Sequence, residues 1–126
     1  MKTSSRKPLL LIIDDELIIC EILADIITRM TKKLNIVLAT TVERAIQLIP
    51  EADMIISDIR MPNQHLLDQA LKNVMSEKPI ARMSGVTREK TNFMIEKPFK
   101  SEQVAETLQL LYAFYKDRES QEKSAA

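Results

Sequence analysis

Four short stretches of this chain carry side chains that could do chemistry together: Asp14-Asp15, Ser57-Asp58-Ile59-Arg60-Met61-Pro62, Ser84-Gly85 and Glu96-Lys97-Pro98-Phe99. Three carboxylates brought close to one another repel unless a cation compensates them. A hard cation that takes oxygen ligands, keeps some of its water and binds phosphate is Mg²⁺. In such a setting Asp58 can act as a nucleophile on phosphorus and give an acyl phosphate. The metal, a lysine and a hydroxyl then neutralise charge on the equatorial phosphoryl oxygens. Taken singly, each stretch has a plainer use. An Asp pair before a helix suits the positive end of the helix dipole. Met61-Pro62 serves as a turn and Lys97-Pro98 as a loop that ends a strand. The specificity lies in the four together, each standing directly after an apolar run.

Those apolar runs are the elements that must position the set. Leu9–Ile13 lacks polar alternation and reads as a buried strand. Ile36–Ala39, Met54–Ser57, Ile80–Met83 and Phe93–Ile95 read as four more strands. Between the first two, Ile19, Ile22, Leu23, Ile26, Ile27 and Met30 make a helical stripe. Thr40 and Glu43 have capping-box spacing before a second helix with Val42, Ala45, Ile46 and Ile49 inward, which Pro50 ends. Leu66–Met75 is predicted to be a third helix. Ser101 can cap a last one that turns Val104, Leu108, Leu111, Tyr112 and Tyr115 to the core. The polar segment 117–126 is expected to be a frayed tail, leaving a domain over 8–116. Alternating strands and helices imply an α/β fold, a parallel sheet covered on both faces. In such sheets functional residues gather at the carboxyl ends of the strands.

Composition narrows the partners. Eighteen basic and eighteen acidic side chains cancel, so net charge gives no reason to expect DNA or an anionic membrane. The basic start and the apolar run after it faintly resemble a signal peptide, but five apolar residues ending in Asp14-Asp15 are too short and too acidic for one. No run is long enough to span a bilayer. One cysteine, Cys20, cannot form an internal disulfide, so the expected compartment is a reducing cytoplasm. Cys20 itself reads as a small core residue and His65 as a solvated loop position. The methionines at 30, 54, 75, 83 and 94 read as core.

The four motifs, in this order, resemble the signature set of bacterial two-component response-regulator receiver domains, and the resemblance covers about residues 8–116. It implies a CheY-like, flavodoxin-like doubly wound sheet of five parallel strands in the order 2-1-3-4-5. It implies that Asp58 is the phosphorylation site, and that Asp15 and Asp58 bind Mg²⁺ directly. Asp14 would act through water and Arg60 through its backbone carbonyl. Ser84 would hydrogen-bond the phosphoryl group and Lys97 would pair with it. Gly85 would be the small residue beside that group, and the Lys97-Pro98 bond a candidate for cis. The donor would be a sensor histidine kinase or a histidine phosphotransfer protein. With no output domain following, the chain would work by protein contact or as a phosphate shuttle or sink, and not as an enzyme beyond its own phosphorylation and dephosphorylation.

Three departures from the family pattern stand out. His65-Leu66 occupy the place of an Asp-Gly pair, so the loop after Met61-Pro62 must take another conformation. Only twelve residues separate Ser84 from Lys97. After a fifth strand is allowed for, Gly85–Asn92 must make the return crossing of roughly 17 Å, which eight residues manage extended but not as a normal helix. The fourth helix of the family is therefore expected to be absent or one turn long. Met94 stands where the family has an aromatic ring that couples to phosphorylation. These departures make a phosphorylation-independent adaptor with a receiver fold the alternative. An aspartyl-phosphate hydrolase of the haloacid dehalogenase type fits less well, because Arg60 stands where its second Asp is needed.

Overall fold

The computed structural model describes residues 7–84, 94–96 and 99–125. The chain runs β1 (Leu9–Ile13), α1 (Leu17–Met30), β2 (Asn35–Ala39), α2 (Val42–Leu48), a 3₁₀ turn (Ile49–Glu51), β3 (Met54–Asp58), α3 (Gln64–Val74), β4 (Ile80–Ser84), β5 (Met94–Glu96) and α4 (Ser101–Ala125). The five strands form one parallel sheet in the order β2-β1-β3-β4-β5. This is the α/β architecture and strand order expected. Each strand lies within a residue of its predicted place. β5 is described over Met94–Glu96, with Met94 paired to Arg82 and Glu96 to Ser84, while Phe93 lies outside the described residues.

Strand side chains alternate between two apolar layers. Leu10, Ile12, Met54, Ile56, Ala81, Met83 and Ile95 meet Cys20, Leu23 and Ile27 of α1 and Val104, Leu108 and Leu111 of α4. Leu11, Ile13 and Ile55 face the other way, onto Val42, Ala45 and Leu48 of α2 and Leu67 and Leu71 of α3. Burying each of these larger aliphatic side chains contributes about 1.5–3 kcal/mol, which makes the two layers the source of most of the stability.

Several helical faces differ from expectation. Cys20, Leu23 and Ile27 form the buried line of α1, while Ile22 and Met30 are 45% and 38% exposed. The helix is apolar nearly all round at Leu17, Ile18, Ile19 and Ile22, so its pattern alone did not fix which face turns inward. The same holds for Ile46, which is exposed beside buried Val42 and Ala45. Thr41, not Thr40, caps α2: its Oγ1 accepts from the Arg44 N–H at 3.1 Å. The shift by one residue removes Glu43 from the capping-box position. α3 starts two residues before the predicted Leu66, so His65 is exposed as expected but belongs to the first helical turn. Met54 and Met83 are core residues, whereas Met30 and Met75 are exposed.

The largest difference lies in the segment after 116. The helix continues to Ala125 where a frayed tail is predicted. Pairs across one turn bridge the transition: Tyr115 Oη donates to Glu119 Oε2 at 2.9 Å, and Lys116 Nζ lies 3.6 Å from Glu119 Oε1. Such pairs support a polar helix that has no apolar face of its own. The expected shortening of the fourth helix concerns residues 85–93, which lie outside the described residues.

Candidate functional site

β1, β3 and β4 end within two residues of one another in register. Ile13 pairs with Ser57, so Asp14 and Asp58 follow at the same height on adjacent strands. Asp58 pairs with Met83, so Ser84 lies one residue beyond it on the other side. The three polar residues therefore stand in a row across the carboxyl end of the sheet, with strand spacing near 4.8 Å. Asp14 is fully buried and Asp58 is 6% exposed, while Asp15 is exposed.

Local hydrogen bonds aim these carboxylates. Asp14 Oδ1 accepts from the Glu16 N–H at 2.9 Å, a side-chain turn that folds the β1–α1 loop over the carboxylate. The Asp14 N–H donates to Ala39 O at 3.1 Å, extending the β1–β2 ladder by one bond. Cys20 Sγ, buried on α1, reaches Asp14 O at 3.6 Å from beneath. Asp58 Oδ1 accepts from the Ile59 N–H at 2.9 Å, and the buried Ser57 hydroxyl donates to Asp58 O at 2.9 Å.

Carboxylate oxygens of Asp14, Asp15 and Glu16 lie within 4.8 Å of one another. Glu16 was not singled out in the sequence, because an acidic residue ahead of a helix also serves the helix dipole. Asp58 is not part of that close trio. It faces Asp14 across the β1–β3 pair without joining the group. The donor set is entirely carboxylate oxygen, the ligand type that Mg²⁺ takes. The residues present fit that ion.

The loop after Asp58 holds the one positive-φ residue among those described. Asn63 adopts φ 63° and ψ 32°, the left-handed region, directly before α3. Asn tolerates this region better than most residues. The Gln64 N–H donates to Met61 O at 3.0 Å, which closes a turn with Pro62 and Asn63 at its two middle positions. Proline second and a positive-φ residue third are the requirements of a type II turn. Arg60, expected to offer its carbonyl, is exposed just before this turn. Lys97, the Lys97-Pro98 bond and Gly85 lie outside the described residues.

No protein-family model matches the chain, and no curated protein matches it either. Solved structures do. A two-component transcriptional regulator AraC from Clostridium phytofermentans ISDg is similar at 22% identity and a TM-score of 0.74, covering 91% of this chain and 99% of that one. The signal receiver domain of an HD domain-containing protein from Pseudomonas fluorescens Pf-5 is similar at 19% identity and a TM-score of 0.72, covering 89% and 99%. The chemotaxis response regulator CheY4 of Vibrio cholerae is similar at 21% identity and a TM-score of 0.70, covering 84% and 99%. What they share with this chain at such identities is the fold, and the chain has the fold of CheY-like receiver domains. Among the described residues no helix is long and apolar enough to cross a membrane.

Proposed function

We propose that this chain is a receiver that accepts a phosphoryl group on Asp58, dependent on Mg²⁺, from a sensor histidine kinase or a histidine phosphotransfer protein. The observation that carries the reading is the placement of Asp58, nearly buried at the end of β3 and level with fully buried Asp14 on β1. A carboxylate so placed is held in one orientation by the Ile59 N–H and is shielded from bulk water. Its oxygen would attack the phosphorus of a phosphohistidine. The O–P bond forms as the P–N bond breaks, and the imidazole nitrogen leaves with the electron pair. Asp14, Asp15 and Asp58, with the Arg60 carbonyl, would hold Mg²⁺, which supplies charge neutralisation at the phosphoryl oxygens. Ser84 and Lys97 would act on the same oxygens from β4 and from the segment after β5. The output would be contact with a downstream protein, or transfer of the phosphate onward, in the cytoplasm, with no chemistry beyond the chain's own phosphorylation and dephosphorylation.

The test is labelling with acetyl phosphate or phosphoramidate, followed by intact-mass analysis. One phosphoryl group should be added in Mg²⁺ and none in a chelator, and Asp58→Asn should abolish the adduct. Unchanged labelling of that variant would remove Asp58 from the role. No labelling of the wild type under any metal condition would favour the phosphorylation-independent adaptor.

A further inference from the structure

The turn after Asp58 is held by a polar chain that leads away from it. Gln64 binds both main-chain groups of Met61: its N–H donates to Met61 O at 3.0 Å, and its Oε1 accepts from the Met61 N–H at 3.0 Å. The other end of the same amide, Nε2, donates to Asp68 Oδ1 at 2.8 Å, one turn further along α3. Asp68 Oδ1 in turn accepts from Arg82 Nη1 at 3.2 Å. Arg82 is on β4, two residues before Ser84 and paired in register with Ser57, the residue before Asp58. The chain thus leaves the phosphoacceptor loop at Met61 and returns to the sheet beside Ser57 and close to Ser84.

The amide of Gln64 suits this place because it accepts at one end and donates at the other. A carboxylate there could accept from Met61 but would face Asp68 as a like charge. An aliphatic side chain would leave the Met61 N–H without its acceptor. Because Met61 follows Arg60 directly, fixing the Met61 N–H fixes the plane of the Arg60–Met61 peptide and so the direction of the Arg60 carbonyl.

We infer that Gln64 is a positioning residue for the Mg²⁺ site, and that Asp68 and Arg82 tie its setting to β4. The inference rests on the metal site described above, and Gln64 touches neither metal nor phosphate. The Arg60 carbonyl is pre-aimed by a hydrogen bond from the next residue, so the ion meets a ligand already in place.

The test measures Mg²⁺ binding to the full chain by calorimetry, with no phosphodonor present, alongside amide spectra. Gln64→Met keeps the length of the side chain and removes both polar ends. It should weaken Mg²⁺ binding roughly three- to tenfold, the range set by losing one oriented hydrogen bond. Labelling at saturating Mg²⁺ should still go to completion. Gln64→Glu restores the acceptor for the Met61 N–H, and should recover the Met61 amide signal that Gln64→Met displaces. Arg82→Met, distant along the sequence, should shift the Met61 amide and the Gln64 side-chain NH₂ signals. A purely structural role for Gln64 would lower the melting temperature and leave Mg²⁺ affinity unchanged. That result, or an Arg82→Met spectrum with the Gln64 signals unmoved, overturns the inference. Wild type that binds Mg²⁺ but does not label would refute the phosphoacceptor reading alone, since the affinity comparison still decides the role of Gln64. Wild type that does not bind Mg²⁺ refutes both.

Discussion

Replacing Asp58 by Asn should stabilise the metal-free protein. Asp14 is fully buried and Asp58 is 6% exposed, at the same height on adjacent strands. For two carboxylates on neighbouring strands, whose backbones run roughly 5 Å apart, an effective dielectric constant near 20 gives a repulsion on the order of 2–3 kcal/mol. Asn at 58 removes the charge and keeps an oxygen to accept the Ile59 N–H, so the hydrogen bond to the loop survives. Allowing for other contacts of the carboxylate, the net gain should be about 1–2 kcal/mol, or a rise of roughly 4–8 °C in melting temperature for a chain of this size. Mg²⁺ should reverse the order. At a hundredfold excess over its dissociation constant it stabilises the wild type by about 2.7 kcal/mol. It should do less for Asp58→Asn, which has lost a charged ligand. Differential scanning calorimetry in chelator and in Mg²⁺ reads both effects. If the variant melts no higher than wild type in chelator, or gains as much from Mg²⁺, the acidic row is not the crowded metal site described.

Three further outcomes test the frame around the site. Thr41→Ala should cost about 1 kcal/mol, because the Arg44 N–H loses its cap, whereas Thr40→Ala should cost less; urea melts of the two variants compare them. Asn63→Gly should be neutral or slightly stabilising and Asn63→Ala destabilising by about 1 kcal/mol, since φ is 63° there; chemical denaturation separates them. Leu23→Ala should cost about 2–5 kcal/mol and Ile22→Ala under about 1 kcal/mol, because Leu23 is fully buried and Ile22 is 45% exposed; equal losses would mean that the wrong face of α1 has been placed inward.

The sheet was legible because its strands are mostly apolar, and β1 and β3 are unbroken apolar runs that end in polar residues, at Ile13-Asp14 and Ile56-Ser57-Asp58. The row of site residues followed from those endings, since parallel strands of similar length end together. Helical faces were harder to read. α1 is apolar on too many sides for its period to choose between Cys20 and Ile22, and only packing against α4 decides it. Thr40 and Thr41 both qualify as caps from their type, and the backbone angles select the second. The last helix looked finished at 116 because core contacts fade there, yet pairs such as Lys116 with Glu119 need no core. Gln64 carried no signal at all. A glutamine four residues before an aspartate is ordinary on an exposed helix, and its importance appears only with the turn at Asn63 and the reach of Arg82 from β4.

The amino ends of the strands are fastened together by main-chain and side-chain bonds. Asn35 N–H donates to Pro8 O at 2.9 Å, Asp53 N–H to Leu9 O at 2.8 Å, and Ile55 N–H to Pro79 O at 3.0 Å. Asp53 Oδ2 takes the Leu9 N–H at 2.8 Å, and Lys78 Nζ donates to Ile49 O at 2.6 Å and to Pro50 O at 3.0 Å. At that end the sheet is gathered like the handle of a hand fan. A charge added at the opposite end of the sheet would leave these bonds in place. On the function proposed, a protein that reads the state of Asp58 would bind at the carboxyl ends of the strands, where that residue lies.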